Sequence, residues 1–148
     1  MYYIGVDLGT SAVKLLLMEG NGKIANIVSK EYPLYFPHPG WSEQKPEDWW
    51  EAVKCGLKEL VAGYDASKVA GISFGGQMHG LVILDKDDQV IRPAILWNDG
   101  RTQEETDYLN NVIGKDKLSQ YTANIAFTGF TAPKVLWVCL LYTSPSPR

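Results

Sequence analysis

The fold is decided by residues 4–11, whose sequence is Ile4-Gly5-Val6-Asp7-Leu8-Gly9-Thr10-Ser11. The apolar run at residues 2–6 predicts a buried strand, and Gly9 lets the backbone turn tightly and approach another group closely. The N–H groups of such a turn suit an anion such as phosphate, and the hydroxyls of Thr10 and Ser11 add further donors. A strand and a polar turn with nothing bound is the alternative interpretation.

Asp7 is an unusual member of such a turn, because a carboxylate repels phosphate. A divalent cation between the two removes the conflict, and Mg²⁺ needs only one or two carboxylates plus phosphate oxygens. Lys14 brings a positive charge close to the same turn. We therefore expect Asp7 to be a metal ligand, and a phosphate-binding group to be formed by Gly9, Thr10, Ser11 and Lys14.

Length and composition fit one ordinary domain with a proper core: the chain has 148 residues, 45% of them hydrophobic, and a net charge of −3. This charge favours neither nucleic acid nor an anionic membrane as a partner, and no apolar run is long enough to span a bilayer. The two cysteines match neither a disulfide framework nor a zinc spacing. The start of the chain lacks the basic region of a secretion signal, so we expect a cytoplasmic location.

Periodicity predicts an α/β fold. Three antiparallel strands are expected at residues 2–6, 12–18 and 23–35, with a hairpin turn at Asn21-Gly22 and a proline-containing loop at 36–44. A helix follows from Pro46, with an apolar face formed by Trp49, Trp50, Val53, Leu57, Leu60 and Val61.

Beyond this helix, strands and helices alternate. A buried strand is expected at residues 69–74, and shorter strands are expected at 81–84, 89–92 and 94–97. Helices are expected at 102–112, 116–121 and 132–138. The order predicts a mixed sheet with flanking helices.

Two more polar stretches follow predicted strands, where ligand sites gather in α/β sheets. In Gly75-Gly76-Gln77-Met78-His79-Gly80, Gln77 and His79 can both donate and accept hydrogen bonds, and Met78 offers a soft apolar wall. In Trp97-Asn98-Asp99-Gly100-Arg101, Asn98 and Asp99 suit a polyol. A lone histidine in a loop is usually structural, and the second stretch taken alone is better explained as an Asp-Gly turn.

These stretches together resemble a known family. Residues 4–11 resemble the first phosphate loop of the actin-like ATPase superfamily, whose fold is related to ribonuclease H. The chain also resembles one branch of this superfamily, the FGGY carbohydrate kinases. This resemblance is found in Trp41-Ser42-Glu43-Gln44, Pro46-Glu47 with Trp49-Trp50, Gly76-Gln77-Met78-His79-Gly80, Arg92-Pro93-Ala94-Ile95-Leu96-Trp97-Asn98-Asp99-Gly100-Arg101 and Gly129-Phe130-Thr131-Ala132-Pro133-Lys134. The resemblance runs from about Tyr3 to Val138.

The resemblance implies an ATP-dependent enzyme that phosphorylates D-xylulose to D-xylulose 5-phosphate with Mg²⁺. By that likeness Asp7 lies near the metal and Gly9, Thr10, Ser11 and Lys14 near the phosphates. The sugar is bound by Gln77, Met78, His79, Asn98 and Asp99. Such enzymes place their general base, and most of the adenosine pocket, in a second lobe beyond residue 148. The chain is therefore expected to be a truncated N-terminal lobe without turnover of its own.

Some alternatives remain open. The sugar could instead be L-ribulose, L-xylulose or L-fuculose, and a non-catalytic nucleotide-binding module of the same superfamily is a further possibility. Whether the parent protein forms a homodimer is left open by the sequence. We assign residues 1–138 to the lobe. Residues 139–148 are expected to be a non-native tail, because their Ser-Pro repeats resemble a translated sequencing adapter; a genuine short polar tail is the alternative.

Overall fold

The structure is a computed structural model that describes residues 1–143. The chain divides into two compact units. The first comprises Met1–Leu34 and Lys45–Gln77, and the second comprises Tyr35–Gln44 and the described residues 78–143. The expected non-native tail stays a prediction, and its residues 144–148 lie outside the described part of the chain.

The first unit is a four-stranded sheet with one long helix. Strands β1 (Tyr2–Leu8), β2 (Ala12–Glu19) and β3 (Ile24–Glu31) are antiparallel neighbours, and β5 (Val69–Gly76) joins β1 in parallel. The sheet order is therefore β3-β2-β1-β5. A parallel neighbour requires a crossover connection, which contains the helix α1 (Pro46–Leu60). This confirms the predicted mixed sheet. The elements are β1 (Tyr2–Leu8), β2 (Ala12–Glu19), β3 (Ile24–Glu31), α1 (Pro46–Leu60), a 3₁₀ turn (Ala66–Lys68) and β5 (Val69–Gly76).

Helix α1 covers β2 and β3 and closes the core of this unit. It begins with a proline in its first turn and carries two acidic residues there, which suits the helix dipole. A Cβ on Gly56 would lie 2.5 Å from Cδ1 of Leu15, so helix and sheet approach closely at this glycine. One predicted member of the apolar face is wrong, since Trp50 is 60% exposed.

Three other expectations are corrected. Strand β3 ends at Glu31 rather than at residue 35, because Pro33 has no N–H to donate to the ladder. The predicted loop at 36–44 contains the short strand β4 (Glu43–Gln44). The predicted buried strand at 69–74 is largely exposed, with Phe74 73% accessible, because β5 is the last strand of the sheet and α1 packs over β2 and β3.

The second unit contains three α-helices, a π-type segment and two short strands among its described residues. Strand β4 pairs antiparallel with β6 (Ala94–Ile95). The predicted helix at 102–112 begins as α2 (Gln103–Asp107) and widens into a π-type segment (Tyr108–Gly114). It is followed by α3 (Lys115–Thr122) and α4 (Thr131–Thr143). No helix among the described residues is both long and apolar enough to cross a membrane.

Candidate functional site

Two opposite charges lie on neighbouring strands of the first unit. Asp7 is the seventh residue of the chain and still part of β1, where it pairs with Lys14 of β2 and with Gly75 of β5. Both charged residues are exposed, and within residues 1–143 neither side chain has a hydrogen-bond or ion-pair partner. An open groove of about 420 Å³ is lined by both residues. The carboxylate and the ammonium are therefore accessible to a ligand.

The β1–β2 turn, residues 9–11, is tightly built. The N–H of Gly9 donates to the carbonyl of Ala12 at 3.1 Å, and a Cβ on Gly9 would lie only 3.0 Å from that same oxygen. The tight turn expected at Gly9 is thus present, and its N–H is used within the turn. Ser11 is exposed, and its hydroxyl is accessible to a ligand.

Tyr32 supports this turn from the end of β3. Its hydroxyl donates to the carbonyl of Gly9, and its N–H donates to the carbonyl of Ser11 at 3.3 Å. Burial, with a contribution from the negative charge of Asp7, raises the pKa of Tyr32 to about 12, so the phenol remains a donor at neutral pH. Sequence reasoning missed Tyr32, because an aromatic residue that follows an apolar strand carries no signal for this contact.

Gln77 contacts the 9–11 turn. The hydroxyl of Thr10 donates to Oε1 of Gln77 at 3.3 Å, and the N–H of Gln77 donates to the carbonyl of Leu8 at 2.9 Å. A Cβ on Gly76 would lie 3.2 Å from the same carbonyl, so glycine permits the close approach of the two strand ends. Gln77 therefore lies beside the predicted phosphate-binding hydroxyl.

The second unit presents the other residues predicted to bind sugar. Met78 is 72% exposed, and His79 is exposed with a positive φ of 62°. Histidine is one of the residues that adopt this left-handed conformation more often than others. The imidazole stacks on the ring of Phe130, with centroids 4.2 Å apart and planes 12° from parallel. The 78–80 loop therefore displays two side chains to solvent, one of them supported by an aromatic ring.

Asn98 and Asp99 differ sharply. Asn98 is exposed, whereas Asp99 is 2% exposed. The Asp99 carboxylate accepts hydrogen bonds from the N–H of Ser42 at 2.6 Å and from Nη2 of Arg101 at 2.7 Å, as well as from the Arg101 N–H and Nε. These bonds fit the turn interpretation of this stretch. They engage both oxygens of Asp99 inside the protein.

The carboxylate of Asp99 is one part of a buried charge cluster. Glu43 contacts Nη1 of Arg101 at 2.8 Å and Nη2 of Arg92 at 3.0 Å. The Arg101 guanidinium lies over the indole of Trp41, with its carbon 3.6 Å from the ring centroid. Residues of two separate sequence stretches thus form one ion-pair cluster, which the local sequence did not predict.

The donor set around Asp7 fits a magnesium ion. Among residues 1–143 no group of three or more histidine, cysteine or acidic side chains could hold a metal. A hard cation that keeps most of its waters and shares phosphate oxygens needs only one or two protein carboxylates. An exposed carboxylate followed by two hydroxyl residues meets that requirement.

Comparison with known proteins shows which family this chain is similar to. Residues 2–141 match the FGGY family of carbohydrate kinases, N-terminal domain. The xylulose kinase of Bacillus subtilis is 50% identical over 139 residues, which is 93% of this chain and 28% of that protein. The chain thus spans less than a third of the length of the curated relatives it matches.

Solved structures agree with this match. The crystal structure of xylulose kinase from Rhodospirillum rubrum has a TM-score of 0.89 and 28% identity, covering 97% of this chain and 30% of that one. The crystal structure of gluconate kinase from Lactobacillus acidophilus has a TM-score of 0.87 and 32% identity, and the match covers 96% of this chain and 28% of that chain. Because the match takes in nearly all of residues 1–148, this chain belongs to the FGGY family of carbohydrate kinases and carries the family's N-terminal domain.

Proposed function

We propose that the whole protein is a cytoplasmic kinase that transfers a phosphoryl group from ATP to D-xylulose, giving D-xylulose 5-phosphate, with Mg²⁺ as its metal. The observation that carries the proposal is the exposed, unpaired Asp7 carboxylate beside the 9–11 turn. A lone carboxylate among hydroxyls suits a metal–phosphate complex better than a bare anion. The identity to xylulose kinases supports the choice of sugar.

The first unit supplies the phosphate end of the reaction. Asp7 would hold the metal, and the Thr10 and Ser11 hydroxyls with the Lys14 ammonium would bind phosphate oxygens. A bound Mg²⁺ supplies neutralising charge for the triphosphate. The Gly9 N–H is already engaged, so in this proposal Gly9 contributes the shape of the turn.

The second unit supplies the sugar end. Met78, His79 and Asn98 are exposed and are proposed to contact the ketose. Gln77 is proposed as a further ketose contact, as the family resemblance implies. The oxygens of Asp99 accept hydrogen bonds from Arg101 and Ser42. Asp99 is therefore proposed to fix the turn that presents Asn98, without contacting the ketose itself. Phosphoryl transfer depends mainly on positioning and charge stabilisation, so ordered loops of this kind are what the reaction needs.

We assign no general base to residues 1–148 and propose that the base, like most of the adenosine pocket, belongs to the rest of the whole protein. The 148-residue chain is accordingly expected to show no kinase turnover. To test this expectation, ADP release and formation of the sugar phosphate are measured for the whole protein and for the 148-residue chain. Robust turnover by the 148-residue chain alone would contradict the proposal that the general base lies outside it.

The sugar is tested by comparing kcat/KM of the whole protein for D-xylulose, L-ribulose, L-xylulose, L-fuculose and gluconate. We expect D-xylulose to have the highest value. A higher value for gluconate would favour the activity named for the Lactobacillus acidophilus neighbour. ATP hydrolysis with no phosphosugar product would instead support a non-catalytic nucleotide-binding module.

The metal ligand is tested with Asp7→Asn, which should reduce kcat of the whole protein by about a hundredfold or more, because charge neutralisation is lost where phosphate charge develops. The matched control is Asp87→Asn, which changes an exposed aspartate in the turn after residue 85. An unchanged magnesium dependence in Asp7→Asn would refute the assignment.

A further inference from the structure

Lys134 is a buried ammonium with an unusual set of partners. It lies in the first turns of α4 and has no exposed surface. Its Nζ donates to the carbonyl of His79 at 2.8 Å and to the carbonyl of Gly129 at 2.6 Å. No carboxylate within residues 1–143 forms an ion pair with it. Burying a charge without a counter-ion is costly, so neutral acceptors alone rarely justify a lysine at such a position.

The two carbonyls belong to two different loops. One acceptor is His79, whose backbone is held at a positive φ of 62°, and the other precedes Phe130, whose ring stacks on the His79 imidazole. A Cβ on Gly129 would lie 2.4 Å from the carbonyl oxygen of Trp97, so the 127–130 loop is also packed against the residue before Asn98. Lys134 therefore joins the backbones that carry the exposed imidazole and its aromatic support.

Burial lowers the pKa of Lys134 to about 8, although the negative charge of Asp99 opposes this shift and the positive charge of Arg101 adds to it. A neutral amine still has two N–H donors, which match the two carbonyl acceptors. The two hydrogen bonds can thus persist on both sides of this pKa. The arrangement suits a group that holds backbone carbonyls in place.

We propose that Lys134 is a positioning residue for sugar recognition, which fixes the left-handed backbone and the ring orientation of His79 through hydrogen bonds to the carbonyls of His79 and Gly129. The inference rests on the proposed function, in which His79 contacts the ketose. Lys134 itself has no exposed surface and is not proposed to touch the sugar.

The test uses the whole protein and the variants Lys134→Met, His79→Ala and the double variant. Lys134→Met removes the donors at nearly constant length. It should raise KM for the ketose by about tenfold to a hundredfold, since small misplacements of binding groups have effects of this size. KM for ATP should stay unchanged. In the His79→Ala background the Lys134 substitution should add nothing, because both changes remove the same contact.

Several outcomes overturn the inference. An unchanged ketose KM in Lys134→Met rules out positioning, and so does an equal rise in both KM values. Additive effects in the double variant show that Lys134 does not act through His79. If Lys134→Met does not fold, Lys134→Gln keeps two N–H donors and should give a smaller rise, confined to the ketose; an unchanged ketose KM there also overturns the inference.

Two controls separate this inference from the proposed function. Lys117→Met changes an exposed lysine of α3 and should leave both KM values unchanged. If His79→Ala leaves the ketose KM unchanged, the proposed sugar contact is wrong and Lys134 loses its role with it. If His79→Ala raises the ketose KM while Lys134→Met does not, only the role of Lys134 fails.

Discussion

The hydroxyl of Tyr32 donates a hydrogen bond to the carbonyl of Gly9 and so ties the end of β3 to the 9–11 turn. Tyr32→Phe removes this donor and leaves the carbonyl without it. We expect a loss of about 1 kcal/mol in the free energy of unfolding. In the whole protein, KM for ATP should rise severalfold while KM for the ketose stays constant. Denaturant titration and steady-state kinetics measure the two effects.

Tyr121→Phe is the matched control for this change, because Tyr121 is 75% exposed on α3. It should alter neither stability nor KM. Equal effects of the two substitutions would show that the Tyr32 hydrogen bond does not order the turn.

Gly129 packs backbone to backbone against Trp97, which leaves no room for a side chain. In Gly129→Ala the new Cβ would meet the carbonyl oxygen at 2.4 Å, and a carbonyl cannot move aside as a flexible side chain can. We expect a loss of about 1–3 kcal/mol from the forced backbone shift. Ketose affinity of the whole protein should fall as well. Thermal unfolding and ketose KM check this prediction.

Gly71→Ala serves as its control, because a Cβ there would lie 3.8 Å from Cδ1 of Tyr3, an ordinary contact. A Gly129→Ala protein as stable as Gly71→Ala would contradict the close approach.

Arg101 compensates two buried carboxylates, those of Asp99 and Glu43. Arg101→Met keeps the bulk of the side chain but leaves both negative charges with fewer partners. We expect a loss of about 3–5 kcal/mol, the usual cost of breaking a buried pair by removing one member. The fluorescence of Trp41, which the guanidinium covers, should change in the folded state.

An exposed pair provides the comparison for Arg101. Lys54→Met breaks the contact with Glu51 on the surface of α1 and should cost about 0–1 kcal/mol. A similar small loss in Arg101→Met would mean that the buried cluster contributes no more than a surface pair.

Stability should rise with pH between about 8 and 10.5, because burial lowers the pKa of Lys134 to about 8 in the folded chain from its ordinary value of 10.5. In that window the unfolded lysine binds a proton that the folded one has lost, and stability rises wherever the unfolded state binds more protons. Below the window both states are charged and the full cost of burial applies. The pH dependence of unfolding should lose this rise in Lys134→Met. A rise of equal size in the variant would contradict the shift.

The parts of the fold that repeat a period could be predicted from sequence. Strands β1 and β2 and helix α1 follow from apolar spacing and a proline at the helix start. The same spacing could not tell which apolar residues would be covered. Trp50 and Phe74 are exposed, because coverage depends on neighbouring elements that local sequence does not specify.

Side-chain chemistry in the sequence could suggest the exposed residues of the candidate site, but it could not suggest the residues that support them. Asp7, Met78 and His79 follow from the chemistry of their side chains and the glycines around them. The roles of Tyr32 and Lys134 depend on contacts with residues far away in the sequence, Gly9 and His79. Such contacts leave no local sequence pattern, so neither the tyrosine nor the lysine could be identified as a supporting residue from the sequence.

The order of strands in the first sheet has a consequence for synthesis on the ribosome. Strand β1 pairs with β2 through a hairpin of a few residues, whereas its parallel partner begins at Val69, which is made much later. Local pairings close faster than distant ones. We therefore expect the hairpin that carries Gly9 to be in place while its future neighbour is still unmade. A stalled nascent chain ending before Val69 would already contain the bend at Gly9, which we propose shapes the phosphate site.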